Sequence, residues 1–146
     1  MENQTTDFAD STRVAGLIET FSQLPEDYRL ARAAGVNLLI VVPDGSNGFA
    51  ELLIADLATP VVAWRPGERL MLPQAEKTGT LLLHNVGTLS PHDQRYLVEW
   101  LERAAGRTQV VSTTPVALLP LVQAGTFLAR LYYRLNTVCV DLNVTA

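Results

Sequence analysis

Lysine occurs once in this chain, at Lys77, and cysteine once, at Cys139. A single cysteine excludes an intramolecular disulfide and any metal site built from several thiolates. Its setting in the apolar run Thr137 to Leu142 predicts a buried, unreactive thiol. The 11 basic residues are scattered among 15 acidic ones, for a net charge of -4. No Lys/Arg run and no basic helix face is present, so the electrostatic footprint of a nucleic-acid binder is missing and direct nucleic-acid contact is not expected. No apolar run approaches the roughly 20 residues of a membrane span. Met1 to Asp10 is polar and acidic, without the basic-then-apolar order of a leader peptide. The expectation is a cytoplasmic chain without membrane contact.

The sequence does have apolar residues, 48% of its 146, in short blocks bounded by Gly, Pro and charged side chains. That is enough for one sizeable core and one domain. Met1 to Asp10 reads as a flexible tail, leaving 11–146 as the domain. Val14, Leu17, Ile18, Phe21 and Leu24 recur at helical spacing, with Ser11 or Thr12 as cap, and a second helix over Glu26 to Ala34 stops at Gly35. Asn37 to Val42 is a continuous apolar run of strand length, the pattern of a strand buried on both faces. Further strands are expected at Val61 to Trp64, Thr80 to Leu83 (reaching position 84), Gln109 to Thr113 and Val138 to Leu142. Helical patterns over Phe49 to Leu57, Pro91 to Ala105, Val116 to Gln123 and Phe127 to Leu135 lie between them. The helix after Leu89 is the best specified: Ser90 caps it, Pro91 opens it, Asp93 approximates a capping box, and Leu97, Trp100, Leu101 and Ala104 form its buried face. This alternation predicts a three-layer α/β/α fold with right-handed crossovers.

Two blocks are more specific. Gly79, Thr80, Leu81, Leu83, Gly87, Leu89, Gln94 and Leu97 match a Gly-Thr-Leu strand running through a turn into a helix with an early Gln and a late Leu. Gly125, Phe127 and Leu131 to Asn136 (Leu-Tyr-Tyr-Arg-Leu-Asn) match a second block in the right order and spacing. Together they resemble the AAA+ ATPase domain of sigma-54-dependent transcriptional activators, from about Leu24 to Leu142. The resemblance implies a P-loop NTPase-like core with a five-stranded parallel sheet in the order 5-1-4-3-2.

Set against that family, the functional positions depart. A P-loop wraps phosphates with backbone N–H groups and adds a lysine and a hydroxyl. The equivalent segment, Pro43 to Ala50, keeps Gly45, Ser46, Asn47 and Gly48 as a degenerate loop that could still hold a nucleotide or anion, or serve only as a turn. The lysine position falls on Phe49, or on Ala50 if the alignment slips, and Asp44 adds negative charge. The Walker B acids, which hold metal and polarise water, are aligned with His84 and Asn85. A polar strand end is the simpler role for His84 than a metal site with His92, so no metal site is expected. The sensor asparagine aligns with Pro115 and the first subunit-facing arginine with Leu128. Arg134 remains, either as a subunit-facing arginine or as a structural one.

The family's Gly-Ala-Phe-Thr-Gly-Ala insertion has no counterpart in Arg65 to Thr78, and with the chain ending at Ala146 no helical lid or DNA-binding unit is expected. These departures predict a non-catalytic regulatory or protein-interaction module, linked through the resemblance to transcription regulation or signalling. Its partner would be another protein or further copies of the chain, with no required cofactor and no catalytic residue. The alternative is a nucleotide-binding switch, or a weak ATPase using ATP and Mg. Phe49 could project as an interaction patch or turn inward to fill the space of lysine and phosphate.

Overall fold

Leu38, Leu39, Ile40 and Val41 form β1 (Leu38–Val41), and all four are buried. Only a strand covered on both faces buries consecutive residues in this way. The computed structural model describes residues 26–42, 47–104 and 107–142. The expected tail and the helix beginning near Ser11 lie outside the described residues.

The helix α1 (Glu26–Ala34) precedes β1, and α2 (Asn47–Asp56) follows it. Then come β2 (Val61–Trp64), β3 (Thr80–Leu83), α3 (Pro91–Ala104), β4 (Gln109–Thr114), α4 (Leu119–Gln123), α5 (Ala129–Leu135) and β5 (Val138–Asp141). Short 3-10 turns lie at Ala75–Lys77 and Val86–Thr88. The five strands make one parallel sheet, ordered β2-β3-β4-β1-β5. Read from the other edge, this is the expected 5-1-4-3-2.

Period-two alternation sends successive strand residues to opposite layers. Leu39, Leu81, Leu83 and Val110 pack on one side with Leu97, Trp100 and Leu101 of α3 and Leu131 and Leu135 of α5. Leu38, Ile40, Leu82, Val111 and Val140 pack on the other with Tyr28 and Ala31 of α1 and Phe49 and Leu53 of α2. The architecture is therefore three-layer α/β/α, with Leu81 and Leu83 completely buried.

Polar contacts fix the layers. Tyr28 Oη donates to Asp56 Oδ2 at 2.5 Å, and burial together with that bond raises its pKa well above the phenol value. Arg32 donates to Gln109 Oε1 at 2.6 Å, while Gln109 Nε2 donates to the carbonyls of Ala31 and Val36. α1 is thus tied to the start of β4. Gly35 ends α1 with φ at 71°, its N–H donating to the Ala31 carbonyl at 3.0 Å, as the stop signal predicted. At Gly79 a Cβ would stand 2.5 Å from the Ala58 carbonyl oxygen, so the start of β3 admits only glycine at this close approach.

Ser90 caps α3, its Oγ accepting from Asp93 N–H at 3.1 Å. The Asp93 carboxylate does not return a bond to Ser90 among the described residues; it lies 3.4 Å from His92 Nδ1.

Two expected helices begin late. Thr114 Oγ1 donates to the Val116 carbonyl at 2.6 Å, a local turn that holds Val116 out of α4. The backbone N–H groups of Phe127 and Leu128 donate to the Leu121 carbonyl and Gln94 Oε1, so α5 starts at Ala129.

Cys139 corrects its expectation. It is exposed, because β5 is an edge strand on which only Val140 is fully buried. Partial enclosure of the sulfur and the nearby Asp141 still raise the thiol pKa.

Candidate functional site

Parallel strands place their C-terminal ends along one edge. On that edge Val42 N–H donates to the Thr114 carbonyl at 2.9 Å, and the chain leaves β1 toward α2. β3 delivers His84 and Asn85 to the same edge, with β4 between them and β1. Gly45 and Ser46 lie outside the described residues; the backbone of Asn47 and Gly48 forms the first turn of α2.

The aromatic ring that follows Gly48 turns inward. Phe49 is 1% exposed and packs with the apolar residues between the sheet, α1 and α2. Of the two placements left open by the sequence, the structure adopts the filled interior. Burial of an aromatic side chain of this size is a large hydrophobic contribution, so Phe49 belongs to the core. Ala50 beside it offers a methyl group and no hydroxyl.

His84 N–H donates to the Trp64 carbonyl at 3.0 Å, extending the β2–β3 ladder one residue past β3. By alternation its ring falls on the side of Leu82, the layer that contains α2. His84 Nε2 is buried and has no hydrogen-bond partner among the described residues, and the same is true of Ser112 Oγ. Burial lowers the His84 pKa, Arg65 lowers it further, and Glu68 opposes them. A neutral imidazole follows from that balance. Asn85 takes a left-handed conformation, φ 47° and ψ 58°, which asparagine tolerates better than most residues. Its N–H donates to Thr113 Oγ1 at 3.3 Å, and its carbonyl accepts from the Thr88 hydroxyl at 2.8 Å. The strand end is therefore neutral and held by backbone contacts.

Arg134 is elsewhere. Its carbonyl accepts from Asn37 Nδ2 at 2.9 Å, next to the start of β1. It therefore lies toward the N-terminal edge, separated from His84 and Gly48 by the length of the strands. Its guanidinium shares the Glu102 carboxylate with Arg130. Within one chain the structure brings together Asn47, Gly48, His84 and Asn85 on one edge and leaves Arg134 at the other. The His92 ring is 85% exposed and contacts Asp93. No group of three or more His, Cys, Asp or Glu side chains placed to hold a metal ion is found among the described residues.

Sequence reasoning missed two features. Gln94, noted only as a motif match, is 1% exposed and makes three hydrogen bonds. An early glutamine in an otherwise amphipathic helix, on its apolar stripe, was the available signal. The second is a groove containing Met71 and Tyr96, which no periodicity announces. No helix among the described residues is long and apolar enough to cross a membrane.

The fold recurs in solved structures. NtrX from Brucella abortus in complex with ATP is similar at a TM-score of 0.62 and 19% identity, over 84% of this chain and 36% of that one. NtrX with ADP gives 0.62 and 18%, over 97% and 41%. The P-loop NTPase domain of a sigma-54 transport activator from E. coli gives 0.53 and 14%, over 80% and 92%. This chain thus spans well under half of the NtrX chains it resembles. At these identities the likeness establishes the fold, a P-loop NTPase core of AAA+ type. No curated protein sequence matches the chain. The sequence description of the sigma-54 interaction domain matches residues 19–144, and with the parallel sheet and its strand order the chain belongs to the sigma-54 interaction domain family.

Proposed function

We propose that this chain is a non-catalytic regulatory domain, which uses the AAA+ core as a scaffold for contact with a protein partner or with further copies of itself, in transcription regulation or signalling. The observation that carries this reading is Phe49. Phe49, aligned with the family's phosphate-binding lysine unless the register slips to Ala50, carries a ring 1% exposed and packed into the core. A side chain committed to the interior cannot present charge to a triphosphate. His84 and Asn85 support the same reading, since neither an imidazole nor an amide holds Mg²⁺ as a carboxylate does.

NtrX structures were solved with ATP and with ADP, so a nucleotide-binding switch is the reading to test against. Purified protein with Mg²⁺-ATP is expected to release no phosphate above a blank, and millimolar ATP is expected to leave the melting temperature unchanged. Binding with a dissociation constant a hundredfold below the ATP concentration would stabilise the fold by about 2.7 kcal/mol. For a domain of this size that is a shift on the order of several degrees. Such a shift, abolished by Gly48→Trp, would replace the scaffold reading with the switch.

A further inference from the structure

Both tryptophans of the chain donate their indole N–H to one segment, the connection between β2 and β3. Trp64 Nε1 donates to the Glu68 carbonyl at 2.9 Å, and Trp100 Nε1, from α3, to the Pro73 carbonyl at 2.8 Å. Each tryptophan is 6% exposed, and Leu70 of the connection packs in the same apolar cluster.

The connection is unevenly held. At its start Glu68 N–H donates to the Arg65 carbonyl at 3.1 Å, and Glu68 Oε1 accepts from Arg65 N–H at 2.8 Å. At its end the Ala75 carbonyl accepts from Thr108 Oγ1 at 2.9 Å and from Thr78 N–H at 3.4 Å, and Glu76 pairs with Arg107. Between these ends, residues 69–74 make one hydrogen bond among the described residues, the one from Trp100. Leu70, 5% exposed, and the half-buried Leu72 supply the apolar grip, while Met71 between them is 71% exposed. Two depressions undercut the segment. One of about 480 Å³ lies between residues 69–72 and the first turns of α3 at Tyr96. The other, of about 310 Å³, lies between residues 73–76 and the last turns at Arg103. β3 and β4, by contrast, are paired on both sides along their length. A segment with few buried apolar contacts and almost no backbone hydrogen bonds lies at the low-stability end of a protein and opens locally while the core stays folded.

We propose that residues 69–74 form a strap that swings off α3 while the sheet stays folded. Glu68 and Ala75 are its hinges, and the Trp100 indole on the Pro73 carbonyl is its latch. Closed, the strap covers Trp100; open, it bares that indole and withdraws Leu70 from the apolar cluster. The device controls access to one apolar face of α3 and does not depend on whether the chain turns over ATP.

The test is native-state hydrogen exchange, followed by NMR on the isotope-labelled full chain in low concentrations of urea. The protection factor of Trp100 Nε1–H is expected to lie at least about a hundredfold below those of the Leu82 and Val111 amides. It should change little with urea, because opening the strap exposes little surface. Trp64 Nε1–H, bonded at the hinge, should be protected at least about tenfold more than Trp100. Leu70→Ala removes the main grip and should lower the Trp100 protection by about tenfold or more. Should Leu70→Ala fail to fold, Leu72→Ala at the half-buried position takes its place, with a smaller drop in the same direction.

Trp100 protected as strongly as Leu82, with the same urea slope, would mean that the segment opens only when the whole domain unfolds, and overturns the proposal. An unprotected Trp100 indole also overturns it, since the latch would never close. So does equal protection of the two indoles, which removes the hinge at Glu68, or protection indifferent to the substitution.

Discussion

Leu128 N–H donates to Gln94 Oε1 at 2.8 Å, joining the segment before α5 to the buried face of α3. The same amide donates through Nε2 to the carbonyls of Leu89, at 2.9 Å, and Thr126, at 3.1 Å. One side chain, 1% exposed, thereby satisfies three backbone groups from two parts of the chain. Each would otherwise meet an apolar interior, where an unpaired polar group is costly. Gln94→Leu keeps the volume and removes all three bonds, and is expected to lose about 2–4 kcal/mol of stability in urea unfolding. A loss below about 0.5 kcal/mol would mean that water replaces the amide there.

Phe49→Ala should cost about 3–5 kcal/mol, the range for emptying an aromatic site in a core. Phe49→Lys should cost at least as much, because a buried ammonium lacks solvation, and should produce no phosphate release from ATP. A Phe49→Lys protein as stable as the parent would show that the position opens readily to solvent.

Gly79→Ala places a methyl group 2.5 Å from the Ala58 carbonyl oxygen and 2.7 Å from that of Thr59. Both atoms are backbone, so neither can rotate aside. A loss of about 1–3 kcal/mol is expected in thermal or urea unfolding, as for other overpacked sites. An unchanged midpoint would contradict the close approach.

His84 carries a pH signature. Burial first, then Arg65, holds its folded pKa below 6.5. In the window between that lowered value and 6.5 the unfolded chain binds more protons, so stability is full above 6.5 and is lost as pH falls toward the folded value. His84→Gln removes the titrating group. The drop in stability between pH 7.5 and about pH 5 should be smaller in the variant than in the parent. Equal drops would mean that the imidazole titrates as freely folded as unfolded.

Cys139 is exposed, yet its thiol pKa is raised by partial burial and Asp141. The native protein should take up one maleimide per chain near neutral pH, more slowly than free cysteine, because the thiolate is the reacting species. Labelling that requires denaturant would restore the buried placement expected from the sequence.

The sheet was legible because strand patterns depend on local order along the chain. Leu38 to Val42 and Leu81 to Leu83 are apolar without interruption, the pattern of strands covered on both faces. The strand order came through the two motif blocks, and the cap of α3 through Ser90 and Pro91. Helix starts at Leu119 and Ala129 were not legible, because Thr114 and Gln94 compete for the backbone through bonds that propensity does not contain.

What the sequence determined by itself was therefore the layer architecture and the family. The tertiary structure alone decided that Phe49 faces inward, that Cys139 faces outward, and that Met71 and Tyr96 share a groove. The physical reason is the range of the interactions. Periodicity and capping act within a few residues, whereas burial depends on which element arrives from elsewhere in the chain. Among the described residues no strand pairs beyond β5, which leaves it at the edge of the sheet with its cysteine exposed. α1 and the sheet close over the start of α2, and so the ring at Phe49 is enclosed.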